Sequence, residues 1–279
     1  MGKVMFLRKG EVHTAPVNYP ANLNEATWAQ IREASDKGVA GNFWSVGDTK
    51  TIVINGKVGA ETFSNLSIDA FILGINHNAS VEGANRIHFS IGKISGVDVT
   101  LCDSSYNAQV TTTGKFTMNT SRTNSGGWAS SHMRKTVLGS DSTPTSPTTN
   151  TLLAALPSDL RAIMKSITKY TDNTGGGSDT ASYVTATTDY LLLLSEFEVY
   201  GIRTNANSAE QNYQKQYDYY AAGNSKVKYK HNAMTTVGYW WLRSTRATKT
   251  DYFCRVGSSG TLTQSLAHDS YGIAPAFAV

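Results

Sequence analysis

Apolar and polar positions alternate along the first third of the chain in short runs that are typical of β-strands. Residues 49–55 are rich in β-branched side chains and lead into Asn55-Gly56, a pair that favours a tight turn. Residues 68–75 are almost continuously apolar, which predicts a strand covered on both faces. Alternation at residues 87–93 and 97–101 predicts two further strands. We expect these strands to form one sheet, mostly antiparallel.

An amphipathic helix is predicted in front of these strands. Trp28, Ile31 and Ala34 share one face of a helix. Asn24 is placed to cap its N-terminus, and Gly38 is placed to end it.

The middle of the chain favours further helices. We predict one helix over residues 128–138, a second that begins at Ser158 and turns Ile167 inward, and a third over residues 208–220. The apolar run at residues 190–194 predicts a buried strand. The expected class is therefore α+β, with a mixed, mostly antiparallel sheet, flanking helices and long loops.

The C-terminal segment, residues 239–279, alternates short strands with polar loops. Strands are predicted at residues 240–244, around residues 253–256 and at residues 272–279, with a hairpin turn at residues 257–260. A rigid β scaffold with chemically varied loops at one end is a common design for binding proteins. This segment is therefore the predicted binding end.

The sequence predicts that residues 1–20 form an extended arm and that residues 21–279 form a single domain. The arm contains two prolines, and its opening basic residues are followed by no apolar stretch or small-residue cleavage site, so no secretory signal is expected. No apolar run approaches the roughly 18 residues of a membrane span, so we expect no membrane insertion.

Charge argues against a nucleic-acid partner. The net charge is +4, and the basic residues are scattered. Their densest cluster, residues 226–230, is short and is interpreted as a solvated face rather than a phosphate-binding site.

Two cysteines, Cys102 and Cys254, could form one disulfide or remain two buried thiols, and the thiols are favoured. His77 and His88 flank a loop that contains Glu82 and could bind a metal, although a structural or surface role is the favoured interpretation.

Glu196 and Glu198 lie two residues apart, so on a strand they would share a face. Such a pair could serve as acid and base, but ion pairing with Arg243 or Arg203 is the commoner fate. The chain contains no G-x-S-x-G, H-E-x-x-H or P-loop pattern. No catalytic constellation is therefore predicted.

Several motifs follow one another in a set order. The C-terminal ones are Tyr-Trp-Trp-Leu-Arg-Ser at 239–244, Phe-Cys-Arg-Val at 253–256, Gly-x-Leu at 260–262 and Tyr-Gly-Ile-Ala-Pro-Ala-Phe at 271–277. Gly-Gly-Trp at 126–128, Leu-Pro-Ser-Asp-Leu-Arg at 156–161 and Leu-Ser-Glu-Phe-Glu-Val at 194–199 precede them. Together they resemble a bacterial and phage domain of the C-type-lectin-like, formylglycine-generating-enzyme-like class, over most of residues 40–279. The resemblance implies a C-type-lectin-like fold.

The opening residues, MGKVMFLRKGEVHTAP, resemble the start of short phage or prophage tail-associated proteins. This resemblance implies a tail adhesin on the virion or the bacterial surface, made in the bacterial cytoplasm. Its partners would be the phage tail structure and a host cell-surface protein or glycan. A homotrimer would fit tail symmetry.

Many members of this class resemble the variable proteins of diversity-generating retroelements, in which adenines of AAC-type codons are rewritten. Such changes never produce Lys, Gln, Glu, Met or Trp, so Lys249 and Gln264 would be fixed. The remaining loop positions between Ser244 and Gly272 fall almost entirely in the permitted set. The implied ligand-binding residues are Thr245, Arg246, Ala247, Thr248, Asp251, Tyr252, Arg255, Ser258, Ser259, Thr263, Ser265, His268, Asp269 and Tyr271.

Two alternatives stay open. A carbohydrate-binding lectin of fixed specificity would need an aromatic platform with polar groups, and calcium is disfavoured because Asp251 and Asp269 are the only carboxylates in the C-terminal loops. A diverged formylglycine-generating-like enzyme would need a cysteine pair, and Cys102 and Cys254 give no counterpart of it. We therefore expect no enzyme, no cofactor and no metal.

Overall fold

A computed structural model describes residues 18–279 of the protein. The arm predicted for residues 1–20 lies outside the described residues except at its end. There Tyr19 is buried, and its ring meets that of Phe43 edge-on at a centroid distance of 5.0 Å. The indole of Trp44 donates to the carbonyl oxygen of Pro20 at 3.0 Å. Residues 19 and 20 therefore already pack on the core.

The described residues form an α+β fold with mostly antiparallel sheets, which confirms the predicted class. The helices are α1 Trp28–Asp36, α2 Ala79–Glu82, α3 Gly127–Ser130, α4 Leu152–Ala155, α5 Ser158–Arg161, α6 Glu196–Tyr200 and α7 Asp218–Ala221. The strands are β1 Thr49–Val58, β2 Glu61–Ile75, β3 Ile87–Ile94, β4 Val97–Thr100, β5 Ile167–Asp172, β6 Val184–Asp189, β7 Leu191–Leu192, β8 Lys228–Lys230, β9 Ala233–Gly238, β10 Trp240–Thr245, β11 Tyr252–Val256, β12 Leu262–Leu266 and β13 Ala276–Ala278. None of the helices within residues 18–279 is long and apolar enough to cross a membrane.

Helix α1 has the predicted buried face but a different cap. The hydroxyl of Thr27 accepts from the backbone N–H of Gln30 at 3.2 Å, and the side chain of Gln30 accepts from the N–H of Thr27 at 2.9 Å. This capping box satisfies two N–H groups that a helix start leaves free. Asn24, the predicted cap, instead accepts from the N–H of Thr51 at 2.8 Å and ties the entry of the helix to β1.

The main sheet runs in the order β1-β2-β3-β4-β8-β9, and β13 pairs with both β3 and β7. The last strand therefore enters the centre of the fold. Its Phe277 lies opposite Phe89 of β3, and the two rings stack at 5.2 Å. Trp28 of α1 covers both rings edge-on. The C-terminal segment is thus part of the main core.

The turn predicted at Asn55-Gly56 is wrong. β1 continues through a bulge between Ile54 and Gly56 and turns only at Gly59, where Val58 pairs with Glu61. Gly59 has a φ of +58°, and a Cβ there would lie 2.1 Å from the carbonyl oxygen of Gly114. Only glycine fits this close approach, so the turn lies where a neighbouring loop requires it.

The predicted helices are shorter than their periodicity suggests. The helix predicted at 128–138 divides into α3 and a π-helical turn, Met133–Leu138, because Ser131 is extended. The helix predicted at 208–220 becomes a 3₁₀ turn, Ser208–Asn212, followed by α7. The strands predicted at 190–194 and 272–279 shrink to β7 and β13. Side-chain hydrogen bonds, such as that from Gln214 to the Tyr170 carbonyl at 2.7 Å, hold the non-helical stretches.

Candidate ligand-binding site

The sheet β10-β11-β12 forms the predicted binding end. Trp241 pairs with Arg255, and Arg255 pairs with Thr263, so these three side chains share one face. Neighbouring positions alternate to the other face, where Cys254 is fully buried. The shared face turns toward the segment before β13 and the loop after β4.

Three tyrosines and two cations meet on this face, and we name them the tyrosine–cation cluster. Its members are Tyr106, Lys230, Tyr239, Arg255 and Tyr271. The guanidinium carbon of Arg255 lies 4.3 Å from the ring centroid of Tyr239 and 4.7 Å from that of Tyr271. The ammonium of Lys230 lies 4.8 Å from the ring centroid of Tyr106. Both arrangements are cation–π contacts.

The rings of the cluster also contact one another. Tyr106 and Tyr239 are nearly parallel, with centroids 6.4 Å apart, and Tyr271 stands edge-on to both. Trp241 closes the cluster from below, 5.2 Å from Tyr271. Tyr106, Tyr239, Lys230 and Arg255 are all partly exposed, whereas Tyr271 is buried. The cluster therefore offers solvent a fixed aromatic surface with two positive charges.

Backbone hydrogen bonds hold the cluster together. The N–H of Tyr239 donates to the hydroxyl of Tyr106 at 2.6 Å, and the carbonyl of Tyr239 accepts from the N–H of Gly272 at 2.9 Å. The N–H of Asn107 donates to the carbonyl of Ser270 at 2.7 Å. Burial raises the pKa of Tyr106 to about 12, so its hydroxyl stays neutral. The loop after β4 is thus fastened to the C-terminal segment.

The fourteen predicted ligand-binding residues divide by exposure. Thr248, Ser258 and Ser259 are exposed. The partly exposed ones are Arg246, Asp251, Tyr252, Arg255, Thr263, His268 and Asp269. The buried ones are Thr245, Ala247, Ser265 and Tyr271.

The structure places the four buried residues away from solvent. Thr245 is an inward position of β10, and Ala247 is held by a 2.9 Å hydrogen bond from its N–H to the Asn205 carbonyl. Ser265 accepts from Nε of Arg255 at 2.6 Å, and Tyr271 lies beneath the same guanidinium. These two support Arg255 rather than contact solvent.

A buried ionic network lies beneath the sheet. Both Nη atoms of Arg243 donate to the carboxylate of Glu198, with Nη2 at 2.9 Å, and Nε donates to the hydroxyl of Thr171 at 2.8 Å. The ammonium of Lys169 lies 2.6 Å from Glu198 and 2.7 Å from Glu82. Burial opposes ionisation of Glu198, but Arg243 and Lys169 outweigh it and hold its pKa below the usual value. The predicted ion pair between Glu198 and Arg243 is confirmed.

The helical position of the two glutamates corrects the strand interpretation. Glu198 completes a capping box with Ser195 at the start of α6. Glu196 does not form the predicted ion pair. Its carboxylate accepts backbone N–H groups of the following loop, among them that of Ala206 at 2.7 Å. The pattern Ser-x-x-Glu was visible in the sequence and could have predicted this helix.

The histidines flank the same network. His77 and His88 lie 3.7 and 3.6 Å from oxygens of Glu82, which is bound by Lys169. Burial lowers the pKa of His77 to about 3, so it is neutral at pH 7. Within residues 18–279, no group of three or more His, Cys, Asp and Glu side chains is arranged to hold a metal. The favoured structural role fits these contacts.

Both cysteines are free and buried, so the prediction of two thiols is confirmed. Burial raises the pKa of Cys102 to about 12 and that of Cys254 well above its usual value. Both sulfurs therefore remain protonated at neutral pH, a state that disfavours nucleophilic attack.

Glu210 makes the stability of the scaffold depend on pH. It is fully buried, and burial raises its pKa from 4.5 to about 7. A carboxyl group with a raised folded pKa stabilises the fold when protonated; this contribution is complete below about pH 4.5 and is lost as the pH rises through 7. Relative to Glu210→Gln, the wild type should lose about 3 kcal/mol of unfolding free energy between pH 4.5 and 8. Urea denaturation of both proteins across this range measures it, and a pH-independent difference would contradict the prediction.

Three cluster residues, Tyr106, Lys230 and Tyr239, were not predicted as site residues. Tyr106 lies 133 residues before Tyr239 along the chain, and only the tertiary structure brings it to the C-terminal segment. Lys230 lies just before that segment, on β8. The basic cluster at 226–230 is not simply a solvated face, because Lys228 is buried against the rings of Phe71 and Trp240. Burial lowers its pKa to about 8.

Comparison with known proteins places the chain in a family. Residues 104–279, more than half of the chain, match the family described as a domain of unknown function, DUF6273. The chain belongs to this family, and the matched range contains every member of the tyrosine–cation cluster. Searches of curated proteins and of solved structures found no match.

Proposed function

We propose that this protein is a non-enzymatic receptor-binding protein of the phage-tail type, with a C-type-lectin-like fold. The tyrosine–cation cluster carries the proposal. Tyrosine and arginine are enriched among residues that dominate binding energy, because they combine large apolar area with fixed hydrogen-bonding groups. Here Tyr106, Tyr239 and Arg255 stand partly exposed beside a sheet whose other face contains the fully buried Cys254.

The chain order at the C-terminus supports the fold proposal. The Trp-Leu-Arg-Ser motif forms strand β10, the loop at residues 246–251 follows it, and the next short strand is β11. The glycine turn at residues 257–261 leads into β12, and the final strand is β13. The resemblance of the opening residues to phage tail-associated proteins supports the tail assignment. Two buried, protonated thiols support the non-enzymatic assignment.

Exposure narrows the proposed diversifiable surface to ten positions. The buried Thr245, Ala247, Ser265 and Tyr271 leave this set because substitution there would disturb packing rather than contacts. Lys249 is exposed among the ten remaining positions, and it would stay constant because adenine rewriting cannot produce lysine. A near-copy of the codons for residues 240–279, differing only at adenines and lying beside a reverse-transcriptase gene, tests diversification.

A carbohydrate-binding lectin of fixed specificity is the second candidate. One observation favours it: Tyr106, Lys230 and Tyr239 belong to the cluster but lie outside residues 245–271. Adenine rewriting confined to that segment would leave these three residues unchanged. Recognition centred on them would therefore stay constant. Absence of the codon repeat would favour this candidate over a variable adhesin.

Binding to cells tests the receptor-binding proposal. Labelled full-length protein is titrated onto a panel of bacterial strains, and bound label is measured by flow cytometry. We expect saturable binding to some strains, reduced at least tenfold by Tyr239→Ala, because the variant removes one ring of the platform. Lys57→Ala is the control, since Lys57 is exposed on β1, at the opposite end of the strand order from β8 and β9. Binding that is absent on all strains, or equal for Tyr239→Ala and wild type, would refute the proposal.

A further inference from the structure

We propose that the tyrosine–cation cluster binds an acidic saccharide, a sugar ring that carries a carboxylate or phosphate group. This inference rests on the proposed function and names the chemistry of its ligand. Arg255 would bind the anion, Lys230 would add positive charge to the same cluster, and the rings of Tyr106 and Tyr239 would pack against the sugar.

The two cations are not neutralised by the protein. Within residues 18–279, no carboxylate oxygen lies within 4.0 Å of the charged nitrogens of Lys230 or Arg255. Lys115, by contrast, is paired with Glu61. Asp269 is close enough for its charge to interact with Arg255, but it forms no contact pair with it. An anion from outside would therefore find two positive charges without competing for an existing ion pair.

Arg255 is fixed by several contacts, yet one of its donor nitrogens has no hydrogen-bond partner among the described residues. Its Nε donates to Ser265 at 2.6 Å, and the rings of Tyr239 and Tyr271 contact its guanidinium. Its Nη1 atom is buried and has no hydrogen-bond partner among the described residues. A buried donor without an acceptor costs free energy, and a ligand oxygen would remove that cost. A planar guanidinium also matches the paired oxygens of a carboxylate or phosphate.

The rings favour a sugar as the carrier of the anion. The π faces of Tyr106 and Tyr239 are electron-rich, and the C–H groups of a sugar ring present a weakly positive face to them. Tyr106 and Tyr239 are stacked, with ring planes inclined by 13° and centroids 6.4 Å apart, and both side chains are partly exposed, so they present part of their aromatic surface to solvent. An acidic peptide would use the cations but would leave this surface unused.

Titration with small saccharides tests the inference on purified full-length protein, without cells. Glucuronate, glucose 6-phosphate, glucose and a tetra-aspartate peptide are followed by calorimetry at low salt. We expect both acidic sugars to bind at least tenfold more tightly than glucose and the peptide, with affinity that falls as salt rises. The tighter of the two identifies a carboxylate or a phosphate source.

Variants separate the cluster from general surface charge. Arg255→Gln should weaken binding of the acidic sugars at least tenfold. Arg255→Lys should retain only part of the wild-type affinity, because an ammonium lacks the paired donors of the planar guanidinium. Lys230→Gln should weaken binding severalfold, and it keeps the test valid if Arg255→Gln fails to fold. Lys57→Gln is the charge-matched control and should bind as wild type does.

Any one of four results would overturn the inference. These are equal binding of glucose and glucuronate, tighter binding of the peptide, no binding of any compound, and full binding by Lys230→Gln and Arg255→Lys. Its failure is distinct from failure of the receptor proposal. Cell binding that survives without sugar binding rejects only the acidic saccharide, whereas sugar binding without cell binding rejects only the receptor role.

Discussion

Replacement of Arg243 by methionine is expected to lower the free energy of unfolding by about 3–5 kcal/mol, the range for breaking a buried ion pair by removing one partner. The guanidinium is fully buried and donates to Glu198, to the hydroxyl of Thr171 and, at 3.0 Å, to the carbonyl of Leu193. Methionine fills part of the volume but donates to none of them. Three buried acceptors would each lose a donor, at about 1–3 kcal/mol apiece before relaxation. Urea denaturation at pH 7 measures the loss.

The matched control is Arg32→Met on α1. Arg32 pairs with Asp36 at 2.8 Å, but both side chains are substantially exposed. Arg32 also donates to the carbonyl oxygen of Ile163 at 2.9 Å, so its removal should cost about 1–2 kcal/mol, still less than removal of Arg243. Equal losses for the two variants would contradict the view that the buried network holds the C-terminal sheet on the scaffold.

A second substitution separates the ion pair from the packing. In Arg243→Met combined with Glu198→Gln, the carboxylate that needs the guanidinium is gone, while glutamine can still complete the capping box with Ser195. The double variant should therefore lose less stability than the sum of the two single variants. Additive losses would mean that Arg243 does not stabilise the fold through its ion pair with Glu198.

Periodic features of the fold could be predicted from the sequence because they depend on neighbours a few residues away. The buried face of α1 and the strands β2 and β3 are examples, since burial on one face or both leaves a direct pattern. Ion pairing of Glu196 or Glu198 with Arg243 or Arg203 could be expected from the sequence because neighbouring carboxylates commonly pair with a cation, but the sequence did not identify which residues pair.

Features that depend on distant segments could not be predicted in the same way. The turn at Gly59 is set by its contact with Gly114, and the Asn55-Gly56 pair carries no sign of it. The cluster assembles from the loop after β4, from β8 and from the C-terminal segment, so Tyr106 and Lys230 gave no local signal. The solvent exposure of the C-terminal loop residues could not be predicted from the sequence either. Tyr271 and Arg255 are both permitted by the codon pattern, yet one lies beneath the other.

The final strand should be as important for stability as the buried ion pair. Phe277→Ala is expected to lower the free energy of unfolding by about 3–5 kcal/mol, because it leaves a cavity where a fully buried ring stacks on Phe89. Phe277→Leu keeps most of the apolar volume and should cost about 1.5 kcal/mol or less if the core can repack. Chemical denaturation of both variants measures the difference.

Hydrogen exchange gives the same substitution a local readout. Phe277 pairs with Phe89 on one side and Leu191 on the other, so weakening β13 should speed amide exchange in β3 and β7 before it affects β1. Tyr271 lies only six residues ahead of Phe277 in the chain, so the same loosening should reach the tyrosine–cation cluster. Faster exchange confined to the last three residues would mean that β13 merely covers the sheet. Exchange that spreads through β3 and reaches residues 270–272 would mean that the central strand also holds the binding face in position.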